Sequence, residues 1–74
     1  MPTVRYYVKD LDQDFPMHLS ARKAAEIAGR NPQTIVRMLE RGDIQGSKFS
    51  GVWKIDASEL FTWLGLHGEA RVNA

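Results

Sequence analysis

Between residues 33 and 37, Gln33, Thr34, Val36 and Arg37 offer four kinds of contact within little more than one helical turn. An arginine fork can donate to two acceptors at once, such as guanine O6 and N7. A carboxamide can donate and accept together, as adenine N6 and N7 require. A valine methyl suits a thymine methyl, and a threonine hydroxyl reaches a phosphate or a base edge. Arg41 stands one turn further along the same segment. Ser20, Arg22, Lys23, Arg30 and Asn31 precede it, and Lys48, Ser50 and Lys54 follow it. Cations, hydroxyls and amides in this mixture suit the rails of a duplex.

Such residues need a helix with an open front end, and the stretch GRNPQTIVRMLERG (29–42) is punctuated for one. Asn31 is an N-cap candidate, and Pro32 falls at the first helical position, where a missing N–H costs nothing. Ile35, Met38 and Leu39 keep the spacing of a buried stripe. That leaves Gln33, Val36 and Arg37 outward and Thr34 at the margin. Gly42 supplies the stop. Ahead of it, Ser20 caps a helix over residues 21–28, with a narrow stripe of Ala24, Ala25, Ile27 and Ala28, and Gly29 ends it. Only residues 29–31 separate the two helices, the short connection of a helix-turn-helix.

Two β-prone runs follow around Ser50-Gly51 and predict a hairpin, with Trp53 and Ile55 inward and Val52 and Lys54 outward. A hairpin directly after the second helix is a wing. Asp56-Ala57-Ser58-Glu59 has the form of a capping box for a third helix, which Gly65 ends. At the other end, TVRYYV (3–8) predicts a strand, and residues 9–16 an acidic loop. The fold class is therefore α+β: a small winged helix-turn-helix of three helices, a two-stranded wing and an N-terminal strand. The expected organisation is strand and acidic loop over 1–16, the winged domain over 17–65, and a flexible tail over 66–74.

Seventy-four residues make one domain at most, burying only about 60% of the unfolded chain's surface. Without cysteine there is no disulfide framework, which favours a reducing, cytoplasmic setting. No apolar run approaches the roughly 18 residues of a membrane span, so no membrane partner is expected. The net charge of +1 conceals a division, with residues 20–54 at +4 and the segments 9–19 and 55–74 at −2 each. A basic middle between acidic flanks favours a polyanionic partner. The plain alternative is a structural pair of helices with solvated outward residues, and an outward Val36 counts against it.

Residues 19–64 also resemble the excisionase-type winged-helix DNA-binding domain, related to the DNA-binding part of MerR-like regulators. The resemblance rests on Leu19-Ser20, Ala24-Ala25, Gly29, Thr34-Ile35, Arg37, Gly42-x-Ile44, Trp53-Lys54-Ile55 and Leu60-x-x-Trp63-Leu64. It implies a small protein that binds repeated sites on double-stranded DNA cooperatively and bends them. In phage and plasmid excisionases, which are recombination directionality factors, this turns an integrase towards excision. Stand-alone transcription regulators share the domain, so a small repressor or activator is the alternative.

Because the second helix of a helix-turn-helix lies in the major groove, DNA contacts are expected from Gln33, Thr34, Val36, Arg37 and Arg41 on this recognition helix, with Arg37 either a base reader or a phosphate clamp. Ser20, Arg22, Lys23, Arg30 and Asn31 would reach the flanking backbone, and Lys48, Ser50 and Lys54 the wing's side. Arg30 replaces a residue that is usually small and apolar in the family. The N-terminal strand lies outside the shared region, and would pair with the wing of its own chain or of a neighbouring copy, allowing self-association along DNA. Catalysis is not expected. His18 and Ser20 have no carboxylate at triad spacing, and there is no phosphate loop, cofactor motif or metal-ligand cluster. A protein-binding adaptor is the other class left open.

Overall fold

Thr3–Val8 (β1) is the strand its β-branched and aromatic residues predict, but its neighbours differ from the expected ones. The computed structural model describes residues 3–73; the ends of the expected N-terminal unit (1–2) and tail (74) lie outside the described residues. β1 is the centre of a three-stranded antiparallel sheet. On one side is Gln13–Pro16 (β2), and on the other Gly68–Asn73 (β6), in register Val4↔Val72, Tyr6↔Ala70, Val8↔Gly68. β6 thus pairs along all of β1 and β2 along Arg5–Val8, so most of both edges is occupied within the chain. β1 does not pair with the hairpin.

Two segments read as irregular are strands for long-range reasons. The acidic stretch 9–16 turns only over residues 9–12, where Asp12 takes a left-handed φ of 51°, and then returns as β2. Short aspartates tolerate that conformation better than most residues. The expected tail instead carries β6, because its partner strand lies some sixty residues earlier. Gly68 makes the approach possible: a Cβ there would lie 2.5 Å from Tyr6 Cε2 and 2.6 Å from the Tyr7 carbonyl oxygen. Lys9 N–H donates to the His67 carbonyl at 2.9 Å, and His67 N–H donates to Asp10 Oδ2 at 2.6 Å.

The second sheet holds His18–Leu19 (β3), Gly46–Phe49 (β4) and Val52–Asp56 (β5), with β5 in the centre. The third strand beside the hairpin is thus β3. The helices are Ala21–Ala28 (α1), Pro32–Arg41 (α2) and Ala57–Trp63 (α3); α1 packs on α2 and on β5. Asp56 precedes α3, but the expected capping box is not formed: its side chain makes no cap hydrogen bond and instead sits 3.3 Å from His18 Nε2 across the β3–β5 pair.

α3 joins the two sheets. Ala57, Leu60 and Phe61 have no exposed surface. Phe61 stacks on Tyr6 of β1 with ring centroids 5.9 Å apart, and meets Phe15 of β2 at 4.9 Å. Ile35, Ile55 and Val8, from α2, β5 and β1, are equally buried in the same core. A buried phenyl of this kind costs about 3–5 kcal/mol when cut to alanine. Phe61→Ala should therefore lower the urea midpoint sharply, and both sheets should unfold together. Residual amide protection in β1 after α2 has melted would contradict a shared core.

The Asp10 clasp adds a pH signature. Accepting the His67 N–H, with the His67 ring 3.3 Å away, holds the Asp10 carboxyl below its ordinary range. A depressed carboxyl contributes stability above its unfolded pKa, about 3.9, and loses it as pH falls through the folded value. Wild type should therefore be more stable than Asp10→Asn at about pH 6, and the difference should shrink as pH falls below about 3.9. Paired thermal melts of the two proteins read this directly.

Candidate nucleic-acid interface

The connection between α1 and α2 is built almost wholly from backbone and short polar side chains. Ser20 Oγ accepts the Lys23 N–H at 3.1 Å and caps α1. Gly29, at φ 68°, ends it, and Arg30 N–H folds back to the Ala25 carbonyl at 2.9 Å. A left-handed residue at this point suits glycine. Asn31 Oδ1 then accepts the Gln33 N–H at 2.8 Å, and Pro32 begins α2. Neither helix has an acidic residue in its first turn. Gly42, at φ 83°, closes α2, and Asp43 N–H returns to the Met38 carbonyl.

The roll of α2 follows from what it buries. Ile35, Met38 and Leu39 lie in the core, while Gln33 and Arg37 are exposed. Thr34 and Val36 are half-buried, so Val36 offers less surface than the sequence pattern predicts. Arg41 is exposed at the far end, where its guanidinium donates to Asp43 Oδ2 at 3.1 and 2.7 Å. Lys23 lies 3.7 Å from Glu26. Among the described residues, Arg22, Arg30, Arg37, Lys48 and Lys54 form no ion pair.

Two of these cations are positioned by aromatic rings instead. Arg30 lies over Trp63 of α3 at 5.5 Å, and Lys48 over Trp53 at 5.8 Å. The hairpin turns through Ser50 at φ 52° and Gly51 at φ 79°, the two positive values of a type I′ turn. Gly46 at its base is required by contact, since a Cβ there would meet Leu39 Cδ2 and the Lys54 carbonyl, each at 2.8 Å. Lys48 shares a face with Trp53, and Lys54 is on the opposite face, so the ribbon carries a cation on each side.

Residues 19–65 match a family model described as a helix-turn-helix domain. That is most of the chain. The chain belongs to the helix-turn-helix domain family. The family is found in excisionase-like and other DNA-binding proteins and is typically non-enzymatic. No match was found among curated proteins or among solved structures.

In this helix-turn-helix domain, sequence and structure agree on the two caps, the three-residue turn and the buried stripe. They differ on which cations are available. The Asp43 clamp on Arg41 and the Trp63 platform under Arg30 are tertiary contacts that no spacing announces. The sequence also does not single out Phe49, although the residue is 73% exposed at the hairpin tip. The available signal was its strand position, out of phase with Trp53. Among the described residues no helix is long and apolar enough to cross a membrane, and no group of three His, Asp or Glu residues could hold a metal ion.

The caps give a stability prediction. Ser20→Ala and Asn31→Ala each remove an acceptor from a helix end and should cost about 1 kcal/mol in urea unfolding. Asp56→Ala removes no cap bond and should cost less than either. Equal losses for all three would mean that the capping geometry around the turn is not what holds it.

Proposed function

We propose that this chain is a sequence-specific, architectural DNA-binding protein of the excisionase type. In this reading α2 lies in the major groove with its N-terminal residues against base edges, and the β4–β5 hairpin acts as a wing along the adjacent backbone. Gln33, Thr34, Val36 and Arg37 read bases. Arg22, Arg30, Lys48, Lys54, and the hydroxyl or amide of Ser20, Asn31 and Ser50, meet phosphate and sugar. Lys23 and Arg41 join that set by exchanging Glu26 and Asp43 for phosphates. The observation that supports this best is that, of the six described lysines and arginines without an ion pair, all but Lys9 are spread over α1, the turn, α2 and the hairpin.

The functional units on this reading are a DNA-binding unit over 17–65, braced by strands from residues 1–16 and 66–74. The protein would act in the cytoplasm, on the nucleoid, bending repeated sites bound by several copies so that an integrase turns towards excision. Copies would meet through surfaces other than β1, most of whose edges are filled. Excision assayed with the cognate integrase, with and without this chain, tests the biological role. If it changes promoter output but never excision, the role is transcriptional and the DNA-binding reading survives.

The interface itself is tested on a duplex selected by the wild-type protein from a random pool. Arg37→Ala should lose about 1–3 kcal/mol on that duplex and relax preference at a single base pair. Lys54→Ala should weaken every sequence alike and reduce the salt slope by about one. Fluorescence anisotropy over a salt series measures both. Identical behaviour of the two variants would make Arg37 a phosphate clamp, and wild-type binding without a salt slope would remove the DNA interface altogether.

A further inference from the structure

Among the described residues Phe49 is the most exposed of the large apolar ones, at 73%, and its cross-strand partner Val52 is 55% exposed. The other two phenylalanines are in the core: Phe61 has no exposed surface, and Phe15 packs on it. Strand alternation puts Phe49 and Val52 on one face of the hairpin with Ser47 and Lys54, opposite Lys48 and Trp53. The tip therefore carries a phenyl ring and an isopropyl group that the core does not cover, between two lysines without carboxylate partners. A two-residue turn with both φ values positive holds them at the end of a ribbon rather than on a slack loop.

We propose that Phe49 and Val52 form an apolar wedge that enters the minor groove beside the site read by α2. This deepens the DNA-binding reading and rests on it. Charge selects the occupant: an apolar tip with a cation on either face suits a groove floored by bases and walled by two phosphate rails. It suits an apolar protein pocket poorly. Side chains of this kind open a base step and kink the duplex towards the major groove. The cost of opening is lowest at flexible pyrimidine–purine steps. Phe49 is then the residue that bends the DNA and prefers such a step at a position no hydrogen bond reads.

The test uses the full chain and the duplex that wild type selects, labelled at both ends for energy transfer. Phe49→Ala should keep the wild-type circular dichroism and urea midpoint. It should bind roughly tenfold more weakly and leave the duplex straighter. Its salt slope should not change, because no charge is lost. Phe49→Leu should recover most of the affinity and the bend. Replacing the pyrimidine–purine step by a stiff A-tract should weaken wild type more than Phe49→Ala. Wild-type affinity and wild-type bending in Phe49→Ala would overturn the wedge while leaving the α2 interface intact. So would a defect confined to loading a second copy on a longer duplex, which would make the tip a contact between copies. Wild type that binds no duplex would remove both readings together.

Discussion

The burial of Ile35, Met38 and Leu39 against the alanines of α1 is the constraint on which the remaining geometry depends. A helix of ten residues is barely stable alone, so α2 exists because one of its faces has somewhere to go. Ala24 and Ala25 are almost fully buried and carry only a methyl each, which lets the two helices approach closely. Once that stripe is fixed, the roll of α2 has no freedom left, and Gln33 and Arg37 face outward as a consequence. The turn needs little else: two capping side chains and a glycine that adopts a left-handed conformation without strain. The outward face that the proposed reading turns towards DNA is therefore inherited from apolar packing on the opposite side of α2.

A second dependence runs through α3. A chain of this length cannot enclose a large core with helices alone, since its surface is large for its volume. The chain enlarges the core by bringing both ends of the described chain into one sheet and laying it on Phe61. Tyr6 and Phe15 come from one end of the chain and Gly68 from the other, so the aromatic cluster ties residues far apart in sequence. The same helix ends at Trp63, which lies beneath Arg30 in the turn. Support for the terminal sheet and support for the turn thus come from two residues, Phe61 and Trp63, in the last turn of one seven-residue helix.

What the sequence disclosed follows the range of the interactions concerned. Caps, the proline at the first helical position, glycine stops and the 3.6-residue stripe all act within a few residues, so Ser20, Asn31, Pro32 and Gly42 announce α1 and α2. The Ser50-Gly51 turn is equally local. Strand β6 has no comparable signal: GEARVN lacks a β-branched run, and pairing with β1 comes from registration across the whole chain. Asp56 misleads for a related reason, because a motif for capping carries no trace of His18 across the sheet. Among the candidate contacts, Gln33 and Arg37 could be assigned by periodicity. The state of Arg41 depended on Asp43, beyond the end of its helix, where a side-chain clamp is not encoded by spacing.

The pairing of charges suggests how a nearly neutral chain can still present an oriented face. On the terminal sheet, Arg5 meets Asp14, Arg71 meets Glu69 while lying 3.9 Å from the Tyr7 ring, and Tyr7 donates to Asp12, which raises its pKa. Exposed pairs of this type add little stability, typically under about 1 kcal/mol each. Their larger effect is on the field, because a matched pair has a weak potential beyond a few ångströms. Pairing Arg5 and Arg71 on the sheet, where Lys9 is the cation left without an ion pair, while leaving Arg22, Arg37 and Lys54 unmatched weights positive potential towards the helix-turn-helix side. For an approaching polyanion, orientation then depends on which cations remain unopposed, and the acidic residues of the sheet make the opposite approach unfavourable.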